Sequence, residues 1–175
     1  MSDIRAGLSS RAAELRHAFD RTFAEPRRTD TPSTEDFLAI RVESEPYAVR
    51  LSEIAGLFVD KRITRVPGRV ATLLGIAGFR GTIVPVYDLC TLLGYPATEA
   101  PRWLVMASAK PVAFMFDAFE GHFRISREGI VPQEADERPR SYVREFVRAE
   151  DHIRPIVHLD SVLDAIGKQA DEAPL

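Results

Sequence analysis

Residues 78–89 read GFRGTIVPVYDL. Most of the stretch is apolar, and TIVPVY (82–87) has the β-branched texture of a strand. Two features resist that simple reading. Pro85 has no N–H to give to a ladder, so a strand can hold it only where that side needs no bond, at an edge or a bulge. Arg80 and Gly81 fill the two-residue gap between TLLGIAGF (72–79) and TIVPVY. A gap that short predicts a type I′ or II′ hairpin turn with positive φ, which puts the Arg80 side chain at an exposed tip. Such an arginine is either ordinary surface or a recognition residue, because its planar fork anchors protein interfaces.

The same strand runs into DLCTLLG (88–94), whose leucines fall at helical spacing between a capping Asp88 and a stopping Gly94. Upstream, FLAIRVE (37–43) and YAVRL (47–51) flank SEP as a hairpin, followed by IAGLFVD (54–60) and a loop over RITRVPGRV (62–70). Downstream come RWLVMAS (102–108), PVAFMFDAF (111–119), HFRI (122–125), then YVREFVRA (142–149) and HIRPIVHL (152–159) around AED. DSVLDAIG (160–167) reads as a last short helix closed by Gly167, and residues 168–175 as a loose tail. Many short strands on tight turns predict barrels or a sandwich rather than a βαβ sheet.

The opening stretch also has an echo. TIVPVYDLCTLLG (82–94) aligns with HIRPIVHLDSVLDAIG (152–167) at a shift of 70 residues, matching Ile83 to Ile153, Pro85 to Pro155 and Leu89 to Leu159. The duplication predicts two similar β lobes, built from about residues 36–100 and 101–167. Ahead of them, Ile4, Leu8, Ala12, Leu15, Phe19 and Phe23 form one stripe of an amphipathic helix over residues 1–25, stopped by Pro26. Residues 26–35 (PRRTDTPSTE) read as a linker. Such a helix packs back on its own barrels, docks on a partner through Leu8, Leu15, Phe19 and Phe23, or pairs with itself in a dimer.

At 175 residues the chain is long enough for one domain or two small lobes with a real core. Its 26 acidic and 23 basic residues give a net charge of −3, which argues against nucleic-acid binding driven by bulk charge. A single cysteine, Cys90, precludes a disulfide framework or zinc cluster within the chain and fits a reducing compartment. The first residues lack the apolar core of a signal peptide, and no apolar run reaches membrane-spanning length, so the chain reads as cytoplasmic without direct membrane insertion.

No catalytic constellation stands out. His152 and His158 fall on one face of a regular strand but lack a third ligand, and read as a surface pair. His17 and His122 have no evident partner, and Cys90 reads as a small core residue. GIAGFRG (75–81) lies between two strands, not between a strand and a helix, so its glycines are turn and close-packing positions rather than a phosphate loop. Asp117 and Glu120 read as a solvated turn, and DERPR (136–140) as a solvated loop. No cofactor, metal or enzymatic site is expected. An alternative class, a nucleic-acid-binding small β-barrel, would need a basic groove with stacking aromatics, and neither RTDTPSTED nor DERPR offers that clustering. An enzyme would need a convergent acid–base pair in a pocket.

LLGIAGFRGTIVPVYDLCTLLG (73–94) resembles the signature of CheW-type chemotaxis adaptor domains: a glycine, an Asn-Leu-Arg-Gly type turn, then a Pro-Val-x-Asp-Leu segment before a short helix. FLAIRVESEPYAVRLSEIAGLF (37–58) is similar to the family's opening hairpin and third strand, and the resemblance extends over about residues 36–167. It implies a mostly β fold of two five-stranded SH3-like barrels with a hydrophobic groove between them. It implies no enzymatic activity. Its implied partners are the cytoplasmic tip of a methyl-accepting chemoreceptor and a CheA-type histidine kinase, in membrane-bound or soluble receptor arrays. Carried over by position, Arg80 with Gly81 takes the signature turn, Gly75 the glycine before it, and Ile54 an aliphatic position bordering the receptor groove. The chain departs from the pattern at Gly78-Phe79, where the family has Asn-Leu, and at Phe119, His122 and Phe123, where the second lobe's groove wall is usually small and aliphatic. These departures imply a divergent or accessory-system adaptor.

Overall fold

The computed structural model describes residues 33–67, 70–97, 101–133, 142–149 and 152–172. The N-terminal helix with Leu8, Leu15, Phe19 and Phe23, His17, the linker through Pro32, and DERPR lie outside the described residues. The described chain is mostly β, as expected. It runs through β1 (Thr34–Val42), β2 (Glu45–Arg50), a 3-10 turn (Leu51–Glu53), β3 (Ile54–Val59), β4 (Leu73–Phe79), β5 (Thr82–Asp88) and the short helix α1 (Leu89–Leu92). It continues with β6 (Trp103–Ala107), β7 (Ala113–Phe116), β8 (Ala118–Ser126), a 3-10 turn (Arg127–Gly129), β9 (Ile130–Pro132), β10 (Val143–Ala149), β11 (His152–Val157) and α2 (Leu159–Glu172).

Two sheets result, ordered β8-β1-β2-β11-β10-β9 and β3-β6-β7-β5-β4. The lobes are therefore not the contiguous halves 36–100 and 101–167. The opening hairpin β1–β2 joins β8–β11 in a six-stranded sheet, and the segment from Ile54 to Phe116 forms the five-stranded one. β1 begins at Thr34, inside the expected linker, because its first residues pair with the far end of β8, Thr34 opposite Ser126. The expected strand PVAFMFDAF breaks at Asp117, where the chain leaves one sheet for the other. Asp117 is no solvated turn residue: its carboxylate accepts the Glu43 N–H and lies 3.4 Å from the Cys90 sulfur. Glu120 is likewise engaged, by Arg41 and, at 2.7 Å, by Arg154.

Pro85 and Pro155 share one solution, and it is not an edge strand. Each sits in a strand with neighbours on both sides, bonded to an antiparallel partner (Ile76 and Phe146 respectively) one residue before a parallel ladder begins on the other side. That ladder starts at Val86 opposite Ala113 and at Ile156 opposite Ala48. The missing N–H thus falls where no second ladder yet requires it.

The larger core lies between the sheets. It combines Ile40, Val42, Tyr47 and Val49 with Val105, Phe114 and Phe116, and is closed by Leu159, Val162, Leu163 and Ile166 along one face of α2. Each such side chain contributes about 2 kcal/mol by leaving water. A smaller core within the five-stranded lobe holds Ala77, Phe79, Val84, Val86, Leu104 and Met115. Asp88 caps α1 as the sequence predicts, accepting Cys90 N–H at 3.1 Å and the Thr91 hydroxyl at 2.6 Å, and Gly94 follows at φ +88°. Gly167, by contrast, does not end α2, which continues to Glu172. A mid-helix glycine costs only about 1 kcal/mol against alanine, less than the anchored face before it supplies. No helix among the described residues is long and apolar enough to cross a membrane.

Candidate functional site

The β4–β5 turn has φ +45° at Arg80 and +86° at Gly81, the double positive φ of a type I′ hairpin. Arg80 is exposed and has no ion-pair partner among the described residues. Its neighbour Phe79 is not presented with it. Phe79 is only 5% exposed and packs edge-on against Phe58 at 4.8 Å, with the Lys61 ammonium 4.7 Å from its ring. The loop carrying Lys61 is tied to β4 by a reciprocal pair of hydrogen bonds between Thr64 and Ile76, at 2.8 and 2.9 Å. Gly75 makes that approach possible. Its φ is +148°, and a Cβ there would stand 2.2 Å from the Thr64 carbonyl oxygen. Gly75 therefore seats the Thr64–Arg65 loop on β4 and is not itself displayed.

The ladders decide which other expected site residues share this end of the lobe. Ile54 opposes Ala107, Ala107 N–H donates to the Val112 carbonyl, and β5 runs parallel to β7 with Val86 opposite Ala113. Ile54 and the Arg80–Gly81 turn consequently lie toward the same end of the five-stranded sheet. Phe119 does not. It rests on Trp103 at 5.3 Å, and Trp103 stands four residues along β6 from Ala107, about 13 Å away. His122 and Phe123 belong to β8, an edge of the other sheet, where His122 Nε2 lies 3.0 Å from Asp36 and Phe123 stacks on Phe37 at 5.5 Å. The expected single groove wall of Phe119, His122 and Phe123 is thus divided: alternation turns His122 and Phe123 to opposite faces of β8, and Phe119, beyond a register shift at Ala39/Ile40, packs in a different core from Phe123.

Two surface residues escaped the sequence reading. Ile83 is 70% exposed and Ile153 is 58% exposed, although both are large and apolar. They are the matched isoleucines of the 70-residue echo. Alternation was the available signal: Val84 and Val86 fill the core on one face of β5, so Ile83 must look the other way.

A second polar cluster joins β2 to the start of α2. Arg50 reaches Glu35 at 2.8 Å and Glu145 at 2.7 Å, and lies 3.3 Å from His158 Nδ1. Glu53 accepts the first N–H of α2, from Leu159, at 2.7 Å, while burial holds its carboxyl above the ordinary range. His158 is thus not half of a surface strand pair; it lies between Arg50, Glu53 and Glu145. Burial, and then the Arg50 charge, push its imidazole below the ordinary 6.5. A depressed histidine favours the neutral folded form. As pH falls through 6.5 the unfolded chain takes up this proton first, and stability is lost until the folded pKa is passed. His158→Gln is expected to flatten the stability profile between about pH 7.5 and 5.5, as read by urea melts at each pH. Equal slopes for variant and parent would refute the assignment.

A family model described as CheW-like domain matches residues 36–167. The chain is 25% identical over 146 residues to the chemotaxis protein CheW of Rhizobium meliloti, covering 80% of this chain and 94% of that one. It is 22% identical over 142 residues to CheW of Bacillus subtilis, covering 78% and 91%. Its fold is similar to the crystal structure of the scaffolding protein TtCheW from Thermoanaerobacter tengcongensis, with a TM-score of 0.63 at 19% identity over 71% of this chain and 88% of that one. With the two-lobe topology, the signature turn and the model match in agreement, the chain belongs to the CheW-like domain family, whose members are adaptors and scaffolds of chemotaxis signalling rather than enzymes.

Proposed function

We propose that this protein couples the cytoplasmic tip of a chemoreceptor to a CheA-type histidine kinase, as a cytoplasmic adaptor within a receptor array. The observation that carries the reading is the Arg80 turn: an exposed arginine without a carboxylate partner among the described residues, on an I′ hairpin, in a chain whose family match spans most of its length. Ile83, three residues on, adds an exposed apolar contact beside it. Gly78-Phe79 in place of Asn-Leu supports a divergent receptor partner, since the turn here is braced by a buried phenylalanine instead of an asparagine side chain. The test is calorimetric titration of the full chain with a receptor-tip fragment and with the kinase regulatory domain from the same cell. Arg80→Ala is expected to cost on the order of 2 kcal/mol of receptor binding, roughly thirtyfold, with an unchanged melting temperature. Full affinity in the variant would return Arg80 to ordinary surface, and absence of binding to both partners by the parent chain would sink the adaptor reading.

A further inference from the structure

Charge is distributed unevenly between the lobes. Residues 54–116, the five-stranded lobe, contain seven Lys/Arg against three Asp/Glu, a formal charge of +4 in a chain of −3. Neither described acid of this lobe is free to neutralise the excess: Asp60 is held by Arg102 at 2.8 and 2.6 Å, and Asp88 is 2% exposed and caps α1. In the six-stranded lobe Arg41, Arg50, Arg124, Arg127 and Arg154 each hold a carboxylate, leaving Arg144 and Arg148 on β10 without one among the described residues. Lys61, Arg62, Arg65 and Arg80 hold none among the described residues.

These four cations are gathered on one edge. The Thr64–Ile76 bridge is antiparallel, so its register continues with Arg65 beside Gly75 on one side and with Arg62 and Lys61 toward Gly78 and Phe79 on the other. Lys61 over the Phe79 ring stands one residue from Arg80. Lys61 and Arg62, level with Phe79 and Gly78, stand one Debye length (about 8 Å) from Arg80 and repel it, a cost that an anionic partner would relieve, while Arg65 lies about 17 Å from Arg80 along the same edge. Exposed aliphatics, Val66 and Ile83, lie on the loop and the hairpin of the same edge. Aromatics available for stacking do not: Phe58 and Phe79 are spent on each other and on Lys61, which disfavours single-stranded nucleic acid.

We infer that the Lys61–Val66 loop and the Arg80–Gly81 turn form one docking surface for an acidic segment of a protein partner. Its assignment to a chemosensory partner rests on the adaptor reading; its charge preference does not. The experiment is an amide-shift titration of the full, isotope-labelled chain with a Glu-rich helical peptide. Shifts are expected at residues 61–66 and 78–83, with affinity falling about tenfold between roughly 50 and 200 mM salt. The triple variant Lys61→Glu, Arg62→Glu, Arg65→Glu is expected to abolish the response. Arg62→Glu alone, at an exposed position, is expected to weaken it severalfold and guards against misfolding of the triple variant. The inference is overturned by an undiminished response in Arg62→Glu and the triple variant, or by shifts confined to the other lobe. Stronger binding at the same residues to a single-stranded oligonucleotide, or to phosphatidylglycerol vesicles, would also overturn it in favour of a nucleic-acid or lipid surface. A peptide response with no receptor or kinase binding would sink only the adaptor reading; receptor binding that needs Arg80 but ignores Arg62 would sink only this one.

Discussion

Gly75→Ala is expected to destabilise the domain by about 3 kcal/mol, lowering its melting temperature by roughly 6–12 °C. The added methyl would meet three backbone atoms, the Thr64 oxygen at 2.2 Å and the Thr64 carbonyl carbon and Arg65 Cα at 2.9 Å. None of these is the end of a side chain that can swing aside. Moving them means giving up the paired hydrogen bonds between Thr64 and Ile76. The φ of +148° adds strain for any L side chain. Gly81 is the control: at φ +86° with open space around its would-be Cβ, Gly81→Ala carries only the conformational cost, about 1 kcal/mol. Thermal melts of the two variants should therefore differ clearly. Comparable losses would mean that the loop yields, and that Gly75 is not what seats it on β4.

Arg50→Met should cost nearly as much, about 3 kcal/mol, by removing one member of a largely buried charged group. The Arg50 side chain is 15% exposed, bridges Glu35 and Glu145, and lies over the Phe37 ring at 5.6 Å. Methionine preserves the stem that packs there and deletes the charge. Among the described residues, Glu145 would keep only His158 at 3.1 Å, an imidazole that favours the neutral form, and Glu35 only Arg127 at 2.9 Å. Arg50→Lys should recover part of the loss, since one ammonium cannot span both carboxylates as the guanidinium fork does. The charge deletion should also show at His158, where the loss of a nearby cation lifts its pKa toward the ordinary value and shortens the stability limb below pH 6.5. Urea melts placing Arg50→Met within about 1 kcal/mol of the parent would mean that solvent already screens this group.

Local chemistry made much of this fold legible in the sequence. Arg80-Gly81 between two β runs predicts the I′ turn found there, Asp88 the cap of α1, and the Pro85/Pro155 echo the repeated junction of strand and helix. Each depends on backbone conformation within a few residues. Strand partners do not. PVAFMFDAF reads as one strand because nothing local says that Phe116 and Ala118 pair in different sheets. Asp117 was the signal, a carboxylate inside an apolar run that has to find donors, and it finds them at Glu43 and Cys90. Gly167 misleads for a related reason: a weak local stop signal yields to a helical face held by the inter-sheet core.

By itself, then, the sequence determined most strands, their turns and an exposed arginine at residue 80, because these follow from side-chain periodicity and from the φ preferences of glycine and proline, while the family was legible only through the resemblance of residues 37–58 and 73–94 to its signature. Only the tertiary structure decided that the opening hairpin joins the strands after Asp117, that Phe79 is a brace while Ile83 is surface, and that Lys61 and Arg62, without a carboxylate partner among the described residues, stand beside the Arg80 turn. Those properties depend on which distant segments share a sheet, and pairing across dozens of residues leaves no local trace in the chain.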